Sequence, residues 1–210
     1  MDAENQHDLE ARIAACTRCR LASGRTRTVP GDGDPNAELM LIGEGPGFNE
    51  DQQGRPFVGQ AGKLLDKLLG EIGLTREQVF VTNVVKCRPP NNRDPEADEI
   101  ASCEPYLDEQ IAGIRPKLIV TLGRFAMNYF LPRTTISRSH GRATQAGDWL
   151  IYPVYHPAAG LRQTRMLNVL REDFQRIPEF LANSDRPEVT AIERDAGGAE
   201  EPQGTQLSLL

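Results

Sequence analysis

The sequence predicts an α/β fold, a three-layer αβα sandwich around a central four-stranded, mainly parallel sheet. Two observations lead to this prediction. Four short apolar runs rich in β-branched residues are separated by longer amphipathic segments. The runs are almost continuous in hydrophobicity, which is typical of parallel strands that helices cover on both faces. The predicted strands span residues 38–43, 79–85, 117–123 and 150–155.

Three of the other segments are predicted to be helical. Residues 61–73 carry a stripe of leucines and an isoleucine with a period of about 3.6 residues, opposite lysine and aspartate side chains. Residues 95–113 follow Asp94, a residue type that caps helix N-termini, and begin with a proline, which suits a first helical turn. Residues 163–182 carry a further apolar stripe. In such sheets, ligands bind at the carboxyl ends of the strands.

The composition is that of one domain with a tail. Hydrophobic residues make up 39% of the 210 residues, enough for a core of this size. We expect the domain to span residues 1–182, and the polar, acidic residues 183–210 to form a disordered tail. The N-terminus MDAENQHDLE lacks the basic and apolar regions of a signal peptide, and no apolar run approaches the ~20 residues of a membrane span. We therefore expect a cytoplasmic location.

The charge is unevenly distributed along the chain. A net charge of −6 argues against a nucleic-acid partner, but much of the excess acid lies in the tail. Arginine, lysine and histidine cluster within residues 18–27, 86–93 and 138–142. Local basic clusters, more than net charge, form phosphate-binding surfaces. The clusters are equally compatible with solvated loops, so charge alone leaves both interpretations open.

All cysteines of the chain fall into one pattern, a Cys-x2-Cys pair and two single cysteines: Cys16, Cys19, Cys87 and Cys103. In a cytoplasmic chain, cysteines more often bind metal or take part in catalysis than form disulfides. Four thiolates bind either zinc or an iron–sulfur cluster, and the spacing does not separate the two. The pattern predicts one metal centre.

Unusual residues follow three of the predicted strands. The first strand leads into a glycine-rich turn, GEGPG at residues 43–47, which lacks the Gly-Lys-Ser/Thr ending of a P-loop. Asn83 lies near the end of the second strand and His156 follows the fourth. By residue type alone, such an asparagine is a turn former, and a lone histidine is more often structural than catalytic. Their shared position at strand ends favours a functional site.

Five segments, in one order, resemble family 4 uracil-DNA glycosylases, the iron–sulfur type of the uracil-DNA glycosylase superfamily. They are the GEGPG turn, EDQQGRPFVGQAGKLL, TNVVKCRPPNNRDP, the HPAAGLR loop and the four-cysteine spacing, from about residue 16 to residue 180. The resemblance implies the same α/β fold and a nucleoid-associated enzyme. Such an enzyme flips uracil out of single- or double-stranded DNA and hydrolyses its N-glycosidic bond. It releases uracil and leaves an abasic site for base excision repair.

The resemblance also implies roles for individual residues. Phe57 matches the residue that stacks on the base, and Asn83 matches the residue that reads its Watson–Crick edge. His156 matches a donor to uracil O2, where negative charge grows as the bond breaks. The turn lines the pocket with Glu44, Gly45, Pro46 and Gly47.

The turn departs from that of a related family, which reads GQDPY. Gly45 stands where that family has an aspartate that assists the attacking water. The candidates for this catalytic role are then Glu44 and Glu50, which the sequence does not rank. Gly47 stands where that family has a methyl-excluding tyrosine. Rejection of thymine therefore falls to another group, with Glu50 or Phe48 as the candidates.

Two further sites follow from the resemblance. Leu161 and Arg162 match a wedge that fills the space left by the flipped base. The four cysteines match the ligands of a [4Fe–4S] cluster, whose implied role is structural because hydrolysis needs no electrons. The arginine-rich insertion of a covalently trapping relative is missing after the TN motif, so we expect turnover without a covalent adduct.

The last five residues, from Gln206 to Leu210 (QLSLL), resemble the short peptide with which bacterial proteins bind the DNA sliding clamp. No oligomerisation signal stands out, and we expect a monomer. Two other functions compete with the enzyme. The first, a redox-sensing or nucleic-acid-binding iron–sulfur protein, has no need of a base-reading set such as Phe57, Asn83 and His156. The second is a nucleotide-phosphate-binding enzyme, but the glycine-rich turn of this chain lacks the Lys-Ser/Thr pair that such an enzyme uses.

Overall fold

The computed structural model describes residues 3–187, except for the side chain of Ala3. Its centre is a six-stranded sheet with the order β1-β3-β2-β4-β6-β5. The strands are β1 (Asp32–Gly33), β2 (Leu39–Gly43), β3 (Phe80–Asn83), β4 (Leu118–Leu122), β5 (Thr144–Ala146) and β6 (Trp149–Val154). The four inner strands are parallel, and β1 and β5 pair antiparallel at the two edges.

The mixed α/β class is confirmed, but the predicted count of four strands is too low. The four predicted runs correspond to the inner strands β2, β3, β4 and β6. The two edge strands were missed because they are only 2 and 3 residues long and mostly polar, so they carry no apolar run. The second predicted strand also ends earlier than expected, at Asn83.

The helices are α1 (Ala3–Ala14), α2 (Phe48–Gln53), α3 (Gln60–Glu71), α4 (Ala97–Ile114), α5 (Arg124–Phe130), α6 (Ile136–Ser139), α7 (Pro157–Arg162), α8 (Thr164–Gln175) and α9 (Ile177–Ala182). The predicted helices correspond to α3, α4 and the pair α8 and α9. That pair divides at Arg176 because Pro178, in the first turn of α9, has no N–H with which to continue α8. The HPAAGLR loop is largely the helix α7.

Helices cover both faces of the sheet, because alternate residues of each inner strand enter two separate cores. On β2, Met40 and Ile42 pack in a cluster with apolar residues of α1, α4 and α5. Leu39 and Leu41 pack in a second cluster with residues of α3, α8 and α9. Residues of one strand point alternately to opposite faces, so both faces of β2 are buried. The result is the predicted three-layer order of helix, sheet and helix.

The strand order creates a crevice at the carboxyl edge of the sheet. The chain passes from β2 to β3 on one side and then returns to β4 on the other side of β2. Connections that leave neighbouring parallel strands in opposite directions separate at their carboxyl ends, and open α/β sheets bind ligands there. The turn after β2, the end of β3 and the residues after β6 all lie at this edge.

No helix within residues 3–187 has the length and apolar character needed to cross a membrane. The tail from residue 188, with the clamp-like segment from Gln206 to Leu210, lies outside the described residues.

Two glycines of α3 allow a test of how this helix supports the loop before it. A Cβ on Gly62 would lie 1.7 Å from the carbonyl oxygen of Phe57, whereas a Cβ on Gly70 would meet nothing within 4 Å. We expect Gly70→Ala to raise the free energy of unfolding by about 0.5–1 kcal/mol, since alanine favours a helix over glycine. Gly62→Ala should lower it by about 1–3 kcal/mol, because the loop must move. Urea unfolding of both variants measures the difference, and equal shifts would contradict the close approach.

Candidate active site at the carboxyl ends of the strands

A pocket of about 420 Å³ opens at the carboxyl ends of the inner strands. It brings together residues that are far apart in the sequence, because β2, β3 and β6 end at the same edge. The predicted site residues that line it are Glu44, Gly45, Pro46, Gly47, Glu50, Phe57, Asn83, His156 and Arg162. The sequence singled out these residues, and the fold places them around one cavity.

Asn83 is the polar side chain at the floor of this pocket. It is 2% exposed, and its Oδ1 has no hydrogen-bond partner among the described residues. Its register partner across the parallel strands is Gly43, and a Cβ there would lie 2.4 Å from Oδ1. Because buried polar atoms are nearly always paired, the orphaned amide oxygen of a residue that lines a cavity is a candidate partner for a ligand.

Lys86 holds the backbone of Asn83 in place. It is 1% exposed, and its Nζ donates to the Asn83 carbonyl, to Thr82 Oγ1 and to Gln110 Oε1, each at 2.7 Å. Burial lowers the pKa of this amine to about 7. The sequence predicted a basic cluster that includes Lys86, although the position of Lys86 directly after the apolar run of residues 79–85 was a signal of burial.

Phe57 forms one wall of the pocket in a strained backbone conformation. Its φ of 54° lies in the left-handed region, which bulky residues rarely adopt. Gly62 leaves room for this turn, and Arg76 donates a hydrogen bond to the carbonyl of Pro56. The Phe57 ring lies 5.7 Å from the His156 ring, with 28° between the planes. The loop therefore presents an aromatic face beside the histidine.

Glu50 stabilises the loop that carries Phe57. Its Oε1 accepts hydrogen bonds from the backbone N–H groups of Val58 at 2.9 Å and Gly59 at 2.8 Å. Its Oε2 lies 2.7 Å from the place where a Cβ on Gly47 would stand. The carboxylate of Glu50 thus takes up the space that a side chain at position 47 would need.

The geometry fixes the tautomer of His156. The N–H of Ala158 donates to Nδ1 of His156 at 3.1 Å, within the first turn of α7. A backbone N–H can only donate, so Nδ1 carries no proton and Nε2 carries one. Burial lowers the pKa of His156 to about 4, and the nearby charge of Glu50 only partly offsets this. At neutral pH the ring is a neutral donor through Nε2.

Glu44 is a half-buried carboxyl group in the wall of the pocket. Burial raises its pKa to about 7, and the charge of Asp94 adds to the effect while Arg124 opposes it. Since both forms are populated near pH 7, this group can exchange a proton with a bound water molecule.

The two residues predicted to form a wedge differ in position. Arg162 lines the pocket, while Leu161 lies beside it with 50% of its surface exposed. Phe48, the first residue of α2, is also exposed, at 56%, and follows the pocket residue Gly47. From the sequence, Phe48 was a candidate only for the rejection of thymine.

The basic clusters of the sequence are partly neutralised within the fold. Arg20 pairs with Asp98 at 2.7 Å, and Arg93 pairs with Glu99 at 2.6 Å. Lys86 is buried rather than exposed. The sequence showed where cations are frequent but did not show which of them have internal partners.

The four cysteines converge on one cavity. Cys16 and Cys19 lie after α1, Cys87 lies in the loop after β3, and Cys103 lies in α4. Arg25 donates to Cys87 Sγ, and the backbone N–H of Lys86 donates to Cys103 Sγ, both at 3.3 Å. No three His, Cys, Asp or Glu side chains within residues 3–187 are placed to hold a single metal ion.

Comparison with known proteins identifies the class. The family model of the uracil DNA glycosylase superfamily matches residues 30–180, a span that includes all described strands of the sheet and every residue named above as lining the 420 Å³ pocket.

Individual relatives are more specific. A type-4 uracil-DNA glycosylase of Sulfurisphaera tokodaii is 48% identical over 85% of this chain and 86% of its own length. Proteins with the same name from Archaeoglobus fulgidus and Thermotoga maritima are 44% and 42% identical over 84% and 81% of this chain, and over 94% and 91% of their own lengths. The chain therefore belongs to the type-4 uracil-DNA glycosylases of this superfamily, which confirms the resemblance seen in the sequence.

Proposed function

We propose that this protein is a monofunctional uracil-DNA glycosylase that hydrolyses the N-glycosidic bond of uracil in DNA. The products are free uracil and an abasic site, which base excision repair then processes. The observation that carries the proposal is the buried, unpartnered Oδ1 of Asn83 at the floor of the pocket. Such an atom is left unpaired at a stability cost, so a ligand that pairs with it is expected.

Asn83 selects uracil over cytosine. Its amide oxygen accepts the N3–H of uracil, and its amide nitrogen donates to uracil O4. Cytosine presents the opposite pattern, with an acceptor at N3 and an amino donor at C4, so both contacts become repulsive. Phe57 stacks on the flipped base, as an aromatic pocket wall does in other enzymes that flip bases.

His156 stabilises the leaving group. When the bond between N1 and C1′ breaks, its electron pair stays on uracil and spreads to O2. The neutral Nε2–H of His156 donates to this oxygen, and the N–H of Ala158 keeps the ring in the required tautomer. A donor aimed at developing charge in a dry site contributes about 3–4 kcal/mol in other enzymes.

Glu44 is the carboxyl group that we assign to the attacking water. The sugar develops oxocarbenium character, water adds to C1′, and Glu44 accepts its proton. Glu50 is less suited to accept this proton, because its Oε1 already accepts hydrogen bonds from two backbone N–H groups. We assign Glu50 instead to the rejection of thymine, since its Oε2 fills the space beside Gly47 where a side chain would stand.

Leu161 and Arg162 are proposed as the wedge that replaces the flipped base. An exposed leucine at the mouth of the pocket is suited to insertion between base steps, a use known for apolar side chains. The guanidinium of Arg162 extends the same surface towards the phosphates. The substrate is single- or double-stranded DNA that contains uracil.

Cys16, Cys19, Cys87 and Cys103 are proposed as the ligands of a [4Fe–4S] cluster. All four cysteines line one cavity, and two of their sulfur atoms accept hydrogen bonds from N–H groups, which favour the thiolate form. The cluster would connect three segments of the chain and restrain the loop between Asn83 and Cys87. Iron and acid-labile sulfide in the purified protein, both lost in Cys87→Ser, would support this assignment.

The domain limits and partners remain proposals as well. We assign the enzyme to residues 1–182 and to a monomer, and the segment from Gln206 to Leu210 to binding of the sliding clamp. The family match at residues 30–180 lies within the proposed domain.

The proposed function is tested with an oligonucleotide that contains one deoxyuridine. After incubation and alkali treatment, we expect strand scission at the uracil and no stable protein–DNA adduct. The same oligonucleotide with cytosine or thymine at that position should remain intact. An intact uracil strand, at an enzyme concentration above that of the DNA, would refute the function.

The pKa of Glu44 predicts the pH dependence of excision. If its carboxylate accepts the proton of water, kcat/KM rises with pH and reaches a plateau above about 7. Glu44→Gln should remove this limb and lower the plateau by about 10²–10⁴-fold.

Because burial disfavours the charged form in the folded state, Glu44→Gln should also be more stable than the parent protein above about pH 7. The exposed Glu172→Gln serves as the control, and a pH limb retained in Glu44→Gln would contradict the assignment.

A further inference from the structure

Phe48 and Leu161 are the large apolar side chains that the described residues leave exposed, at 56% and 50%. Each is next in sequence to a residue that lines the pocket, Phe48 to Gly47 and Leu161 to Arg162. Exposed aromatic and apolar side chains beside a pocket are suited to contact the bases of bound DNA. The proposed wedge accounts for Leu161 and leaves Phe48 without a role.

Phe48 has a cationic partner at the rim of the pocket. Cζ of Arg88 lies 5.1 Å from the centre of the Phe48 ring. Arg88 Nε also donates to Asn92 Oδ1 at 2.7 Å, and Asn92 lines the pocket. These two contacts orient the guanidinium group. A ring beside a cation matches the chemistry of one nucleotide, because the base stacks on the ring and the phosphate pairs with the cation.

We propose that Phe48 and Arg88 form a second base-binding site, which holds the nucleotide next to the flipped uracil in the same strand. The proposal rests on the proposed function. Flipping removes the uracil from the stack and exposes a face of the neighbouring base, one backbone repeat from the pocket. Every base has such a face, so the contact is independent of sequence. The site therefore serves single-stranded and double-stranded substrates alike.

The test measures binding of a single-stranded oligonucleotide that carries one non-hydrolysable uracil nucleotide with a carbon–carbon glycosidic bond. We expect Phe48→Ala to raise Kd by roughly tenfold, the effect of losing one base–aromatic stack. Phe48→Trp keeps an aromatic face and should bind like the parent protein. Because Phe48 is largely exposed, thermal unfolding of these variants should match that of the parent protein.

A double-mutant cycle identifies the occupant. The base on the 5′ side or on the 3′ side of the uracil is replaced by an abasic tetrahydrofuran residue. When the abasic residue is on the side that the site contacts, the parent protein should bind the strand as weakly as Phe48→Ala binds the intact strand. Phe48→Ala should bind the abasic and the intact strand equally well. Equal losses of both proteins on both abasic strands would overturn the proposal. So would an effect of Phe48→Ala that is confined to duplex DNA, since the opposite base would then be the occupant.

Arg88 is tested by salt dependence. Arg88→Gln should reduce the slope of log Kd against log salt by about 0.7, as expected for one lost phosphate contact to a single strand. An unchanged slope would remove Arg88 from the site. Excision of uracil by the parent protein is measured separately, so failure of the second site and failure of the proposed function give different results.

Discussion

Replacing Asn83 with alanine should lower kcat/KM for uracil excision by about 10³-fold while leaving the protein folded. The variant leaves both N3–H and O4 of a buried uracil without partners, and each unpaired group costs about 1–3 kcal/mol. Excision from a single-stranded oligonucleotide under single-turnover conditions measures the loss. The effect should appear in the rate of excision and in the affinity for free uracil, because the contact is to the base itself.

The stability of Asn83→Ala provides a second readout. Oδ1 of Asn83 has no partner among the described residues, so its removal eliminates an unsatisfied buried atom. We therefore expect the free energy of unfolding to stay within about 1 kcal/mol of the parent value. Asn168→Ala, on the exposed face of α8, is the matched control and should keep full activity. A variant that loses activity only because it unfolds would contradict the base-reading role.

Replacing His156 with alanine should lower the excision rate by about 10²–10³-fold, the effect of removing one donor aimed at developing charge. The factor should be the same at every pH from about 6 to about 9, because the pKa of His156 is lowered to about 4 and the ring is neutral throughout this range. The measurement is the ratio of single-turnover rates of parent protein and variant at each pH.

A charged imidazole would behave differently. If the imidazolium were the donor, the parent protein would lose its advantage over His156→Ala as the pH rises. A ratio that falls steadily with pH would therefore refute the neutral donor. His7→Ala, at an exposed position of α1, controls for the loss of a histidine elsewhere in the chain and should leave the rate unaltered.

The inner strands of the sheet were predictable because each corresponds to an apolar run in the sequence. Residues 38–43 and 117–123 were predicted as strands and correspond to β2 and β4, whose side chains are buried on both faces. The edge strands β1 and β5 pair through backbone groups and bury few side chains, so no side-chain pattern marks them. The same reason explains why the short, polar α2 was not predicted, although it begins with Phe48.

The sequence predicted which residues line the candidate site, but not their burial or their hydrogen-bond partners. Position at a strand end singled out Asn83 and His156, and motif resemblance added Phe57 and Glu44. The apolar run before Lys86 indicated burial, but no sequence pattern could show that its Nζ donates to the Asn83 carbonyl. Nor could the sequence patterns separate the roles of Glu44 and Glu50. The two differ because the carboxylate of Glu50 accepts hydrogen bonds from two backbone N–H groups, which only the folded structure shows.

By itself, then, the sequence determined the layered α/β class, the family and the identity of most pocket residues, because apolar runs and motif order are local properties of the chain. Tertiary structure alone decided the protonation of His156 and Glu44, the orphaned oxygen of Asn83 and the exposed stack of Phe48 with Arg88. The physical reason is that burial, desolvation and hydrogen-bond partners depend on which distant segments meet. Those segments meet at the carboxyl edge of the sheet, where strands from residues 39 to 154 end side by side.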